Sequence, residues 1–154
     1  MEIVQFAVYF ILHIIPLIPR TMEAPMQFYH ITVIGDRSFD ETIEAVTEQL
    51  KKEGFGVITN IDISAKIKEK TGEEIGRYVI LGACNPPLAL HALQVENKIG
   101  VMLPCNVIIR DTGDGSIEVA SIDPLSSMAA TGNAALISVA EEVSLKLKRV
   151  VESI

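Results

Sequence analysis

The chain has 154 residues, 49% hydrophobic and 21% charged, with a formal net charge of −7. That length and composition suit one globular domain with its own core and exclude a disordered chain. The acidic charge repels phosphate backbones and anionic lipid, so no nucleic-acid partner is expected, and two cysteines are too few for a secreted disulfide scaffold.

Residues 3–18 are apolar except for Gln5 and His13. The run is shorter than the ~20 residues of a membrane-spanning helix, Pro16 interrupts its end, and no basic residue precedes it. Three readings stay open: a spurious or dispensable leader, a weak membrane anchor, or a signal peptide. The first is favoured, because Met22 and Met26 offer later starts and the stretch after Met26 leads straight into a strand. The expected organisation is an apolar leader over 1–25 and a single domain over 26–154. Membrane association is expected only if the leader is a real anchor; otherwise the composition fits a reducing cytoplasm.

Residues 28–34 alternate and are rich in β-branched and aromatic types, which predicts a strand. Ser38 and Glu41 form a capping box, and Phe39, Ile43, Val46 and Leu50 follow at helical spacing up to Gly54, a left-handed cap. Phe55, Val57, Thr59, Ile61 and Ile63 alternate as a second strand. Ser64 can cap a short helix that Gly72 closes. Residues 77–84 form a third strand. Asn85 can then cap a helix running to about Glu96, with Pro86 at its first position, where a missing N–H costs nothing. A fourth strand is expected over 100–110 and a glycine-rich hairpin turn over 111–115, followed by a fifth strand over 116–123. After a short turn or helix over 124–131, Leu136, Ala140, Val143, Leu147 and Val150 mark a final amphipathic helix beginning near Asn133. The fold class is α+β: strand, helix, four strands, helix, with short helical insertions. The sheet is mainly antiparallel and carries its helices on one face.

Chemistry-bearing residues gather in three strings: Gly82-Ala83-Cys84-Asn85-Pro86-Pro87, Leu103-Pro104-Cys105-Asn106-Val107, and Ser121-Ile122-Asp123-Pro124, the last followed by Met128. Cys84, just before a helix start, is either an activated thiol or a small packed hydrophobe. Cys105 alternates with Val101, Leu103, Val107 and Ile109 and should share their buried face. Together the cysteines could form a redox pair or hold a soft cation, with Met102, Met128 or His91 as extra ligands. Asn85 reads first as a helix cap. Asn106 needs partners if buried and could meet a ligand if exposed. Asp123 is a turn residue near a helix start. His91 is expected to face solvent, and His13 and His30 have no visible partner. No phosphate-binding loop, zinc-protease or serine-hydrolase string is present, and no cofactor or resident metal is implied.

These strings, with Gly-Phe-Gly-Val at 54–57, resemble the family called domain of unknown function 302 over residues 28–154. The resemblance implies a TATA-binding-protein-like fold, often seen as a homodimer, and no settled activity; the fold name carries no implication of DNA binding. The resulting expectation is a non-catalytic dimeric module that binds a small ligand or protein partner at strand ends. Its binding residues would be Cys84, Asn85, Pro86, Cys105, Asn106, Asp123 and Met128. The alternative is a thiol redox or soft-metal protein using Cys84 and Cys105.

Overall fold

The computed structural model describes residues 28–154; the expectations for the leader and for His13 lie outside these residues. Five strands, β1 (Tyr29–Ile34), β2 (Gly56–Asp62), β3 (Tyr78–Cys84), β4 (Cys105–Asp111) and β5 (Ile117–Ile122), form one sheet in the order β1-β5-β4-β3-β2. Every neighbouring pair is antiparallel. The helices are α1 (Phe39–Lys52), α2 (Ile63–Thr71), α3 (Pro86–Val95), α4 (Pro124–Met128) and α5 (Ile137–Glu152). The α+β class read from the sequence is the observed one. None of these helices is long and apolar enough to cross a membrane.

Helix α1 starts as its capping box predicts. The Ser38 amide donates to Glu41 Oε2 at 2.9 Å and the Glu41 amide donates to Ser38 Oγ at 3.3 Å. Its apolar stripe buries Phe39, Val46 and Leu50 against the sheet, while Leu136, Val139, Ala140, Val143, Leu147 and Val150 of the final helical segment fill the same side. The inward strand positions Val79, Leu81, Val107, Ile109 and Val119 complete this core. Glu53 joins the ends of the two long helices: Arg149 donates to its carboxylate at 2.7 and 3.0 Å.

Three boundaries differ from the sequence reading. Strand β4 begins at Cys105, not at residue 100, because Ile99–Met102 winds into a 3₁₀ turn and Pro104 has no N–H for the ladder. Val101 is consequently 86% exposed instead of sharing the buried face of Cys105. In β2 a bulge between Val57 and Thr59 interrupts the expected alternation. Val57 pairs with inward Ala83, whereas Thr59 and Ile61 pair with outward Gly82 and Ile80. Helix α2 starts two residues early, so that Ile63 is its first residue and not the last of the strand: Asp62 caps it by accepting from the Ala65 amide at 2.8 Å. The Ser64 hydroxyl instead donates to Asp62 and accepts from the Tyr78 amide.

Candidate functional site

The antiparallel ladder brings the end of β3, the start of β4 and the end of β5 to one end of the sheet. The three sequence strings meet there. Ala83 lies opposite Cys105, and Cys84 follows at the β3 terminus. Cys84, Asn85, Cys105 and Met128 line one small apolar cavity with Phe55, Leu88 and Val143; its free volume is about 20 Å³, room for little more than one atom.

Each wall has a local cause. Asn85 caps α3, its Oδ1 accepting from the Leu88 amide at 3.4 Å, and Pro86 takes the first helical position. Gly54, at φ +85°, turns the chain directly beneath Asn85: a Cβ there would lie 3.0 Å from Asn85 Nδ2. A Cβ on Gly82 would run into Thr59 Oγ1 and come within 2.6 Å of Pro104 Cγ, so only glycine lets the Pro104 ring lie against β3 beside Cys105. Both thiols are free. Burial pushes the Cys105 thiol up to about 11, with neighbouring Cys84 adding to the shift, so Cys105 is protonated at neutral pH.

Met128 also forms one wall of a second, larger space, an apolar groove of about 430 Å³ between α4 and the start of α5. Leu125, Ala129, Ala134, Leu136 and Ile137 supply most of its remaining surface, with Ser126 and Asn133 as polar points. Asn133 Oδ1 caps the short turn Ala134–Leu136 by accepting from the Ala135 amide, which holds the groove's far rim.

The remaining sequence candidates divide. Pro86 is exposed outside the thiol cavity. Asn106 does not join it either: strand alternation turns Asn106 to the opposite sheet face, where it is exposed to solvent. Asp123 caps α4, accepting from the Leu125 amide at 3.0 Å and from Ser126 Oγ at 2.9 Å. Burial alone would push its carboxyl up. Hydrogen bonds from Ser144, Ser126 and the Leu125 amide, with the nearby His30 ring, outweigh this and hold it below the usual carboxylate range.

His30, without a visible partner in sequence, lies 3.3 Å from the Ser144 hydroxyl through Nε2. The signal was present: His30 alternates with Thr32 and Ile34 on the core side of β1, and Ser144 lies one position from the buried stripe of α5. What sequence lacked was the docking of α5 on β1. His91 is exposed, as expected. Among the described residues no three His, Cys, Asp or Glu side chains gather as a metal site.

The sequence model of the family described as "Domain of unknown function DUF302" matches residues 30–154. No curated protein matches the chain. Among solved structures, it is similar to the crystal structure of an uncharacterized conserved DUF302 protein from Bacillus stearothermophilus. That match has 28% identity and a TM-score of 0.76, covering 82% of this chain and 97% of the other. With the family match spanning most of its length and a solved structure of a DUF302 protein similar at a TM-score of 0.76, this chain belongs to the DUF302 family.

Proposed function

We propose that this protein is a small ligand-binding module whose ligand, a compact apolar molecule, occupies the groove between α4 and α5. The observation that carries the reading is the groove's size and lining together. At about 430 Å³ it falls within the roughly 300–1,000 Å³ of small-molecule pockets, and its walls are mostly aliphatic with few polar points. Met128 couples it to the thiol cavity, so a bound molecule would press on the Cys84–Cys105 end of the sheet. The two free cysteines favour a reducing cytoplasm as its place of work. The test is a thermal-shift titration of the full chain with indole, 1-octanol and 4-phenylbutyrate. A saturable rise for at least one, abolished by Ala129→Trp at the groove's exposed wall, supports the reading; no rise for any of the three sinks it.

The module is further proposed to act as a homodimer through the sheet face turned away from α1 and α5. Tyr29, Ile31, Val33 and Ile61 are exposed there beside half-buried Ile80 and Ile108. Arg110 and Glu118, paired at 2.6 Å across β4 and β5, would form a polar rim. Analytical ultracentrifugation should give a dimer that Val33→Lys converts to monomer; a monomeric parent chain would overturn this.

One observation favours a second reading. Cys84, Cys105 and Met128 line the same atom-sized cavity, a donor set suited to a soft monovalent cation such as Cu(I). The high Cys105 pKa means that such a cation must displace a firmly held proton. Competition with a coloured Cu(I) chelator decides it: stoichiometric copper lost in Cys84→Ser supports the site, and complete transfer to the chelator eliminates it.

A further inference from the structure

The connections at the two ends of the sheet differ in chemistry. Tyr29, Ile122, Cys105, Cys84 and Gly56 mark the strand ends on one side. The connections there, over 85–104 and 124–136, hold two charged residues, Glu96 and Lys98, of opposite sign. The connections at the other end, over 35–38, 63–77 and 112–116, carry Asp36, Arg37, Asp114 and a dense run of charges from Lys66 to Arg77. Ile75 is the one large apolar side chain exposed in those charged connections.

The weakly charged end is apolar at its surface. Helix α1 presents Asp40, Glu44, Glu48 and Lys51 to solvent, as a surface helix should. Helix α3 has no charged residue and exposes Leu90 and Leu93 instead. Val101 stands out beside them on the 3₁₀ turn: a Cβ on Gly100 would lie 3.8 Å from Leu93 Cδ2, so the turn rests against α3. Asn133 Nδ2 donates to Glu96 Oε2 at 3.5 Å and ties the end of α3 to the rim of the groove, where Leu125 and Ile137 are exposed. An apolar surface that continues across both connections marks an interaction site, unlike aliphatic side chains exposed singly.

The chain itself indicates the partner. The Phe28 carbonyl accepts from the Asp123 amide at 2.6 Å, immediately before α4, so the residues that precede Phe28 join the domain at this apolar end. They include the apolar run over 3–18. The groove, at about 430 Å³, suits one small molecule and cannot cover a run of that length. A bilayer can cover the run and the end face together. The run falls short of a spanning length, and one short apolar attachment binds lipid only marginally; stable anchoring takes a second. The net charge of −7 opposes anionic headgroups, whereas Glu96 and Lys98 cancel within the end face itself.

We infer that this end of the domain, through Leu90, Leu93 and Val101, docks on a neutral, zwitterionic phospholipid bilayer, as a second attachment beside the apolar run that joins at Phe28. The surface differs from the sheet face of the proposed dimer, and its role does not depend on the groove's ligand.

The test uses the full chain, which has no tryptophan, with a single reporter introduced as Val101→Trp. Phosphatidylcholine vesicles should shift its emission to the blue in a saturable way, and vesicles brominated in the acyl chains should quench it. Ile75→Trp, in the charged connections, should show neither effect. The double variant Leu90→Glu/Leu93→Glu should partition onto the vesicles at least about tenfold more weakly, the equivalent of one aliphatic side chain kept in water. Val101→Ser, outside the core, should weaken partitioning in the same direction and serves if the double variant does not fold. The inference is overturned if the chain ignores the vesicles, or if they capture it while Trp at 101 stays unquenched or is quenched no more than Trp at 75. Stronger binding to phosphatidylglycerol than to phosphatidylcholine overturns it, as does unchanged partitioning of a folded Leu90→Glu/Leu93→Glu or Val101→Ser chain. A blue shift at 101 that grows with protein concentration in the absence of lipid also overturns it, in favour of a second copy on this face.

Discussion

Replacing Gly82 with alanine should disturb the thiol end of the sheet more than the addition of one methyl group suggests. The new Cβ would overlap Thr59 Oγ1 and stand 2.6 Å from Pro104 Cγ, closer than real Cβ contacts. Neither neighbour is the free end of a long side chain: Thr59 branches at its own Cβ on β2, and Pro104 is a ring closed on the backbone next to Cys105. Both strands must give, and overpacking of this kind costs about 1–3 kcal/mol. For a domain of this length each kcal/mol lowers Tm by about 3–6 °C, so Gly82→Ala should melt roughly 3–18 °C below the parent. Circular-dichroism melts under reducing conditions measure it. Thr59→Ala removes one of the two obstructions while sparing Pro104. The double variant should recover part of the loss, with a coupling of about 0.5–3 kcal/mol in the four-variant cycle. A Gly82→Ala chain melting within about 1 °C of the parent, or a double variant showing no recovery, would refute the reasoning from close packing.

At pH 8 a disulfide reagent should label Cys84 well before Cys105: a thiol of pKa about 11 is only about one-thousandth ionised at that pH, and equal rates in a thiol-counting assay would contradict the burial of Cys105. Asn85→Ala removes the cap of α3 and should cost about 1 kcal/mol in urea unfolding, with Asn85→Asp costing less because a carboxylate still accepts from the Leu88 amide. The Arg149 hydrogen bond holds the Glu53 carboxyl below its usual range, so this contribution is fully present above the unfolded value near 4.5 and is lost as pH falls through the lower folded value. Arg149→Gln should therefore lower stability at pH 7 and flatten the acid side of the stability profile; parallel profiles for parent and variant would dismiss the Glu53–Arg149 tie.

Local chemistry made much of the architecture legible. The Ser38–Glu41 box and the Asn85–Pro86 start are each written in a few consecutive residues and form where those residues predict, and the stripe from Leu136 to Val150 is buried as expected, although the α-helix begins at Ile137 after a 3₁₀ turn over Ala134–Leu136 and not near Asn133. Other features answer to distant neighbours. The bulge after Val57 depends on how β2 meets β3, so alternation within β2 could not reveal that Thr59 and Ile61 face outward. Asp62 displaced Ser64 as a cap because the Ser64 hydroxyl is engaged by Asp62 and by the Tyr78 amide across the connection. Period-two alternation from Cys105 already placed Asn106 on the other face, and that local rule outweighed the motif they share. The His30–Ser144 contact joins positions 114 residues apart and becomes visible only when α5 is laid on β1.

The strand order has a consequence for how the chain reaches this structure. Strands β2 to β5 are consecutive neighbours, each able to pair soon after it is made, whereas β1 must wait for β5, with Tyr29 meeting Ile122. Such a distant pairing carries a large loop-closure entropy, which places it late on the route. During synthesis the first described strand is thus exposed longest, and β5 has an open edge until β1 arrives. Tyr29, Ile31 and Val33 then form an apolar, strand-prone stretch awaiting its partner, the segment most vulnerable to pairing with another nascent chain.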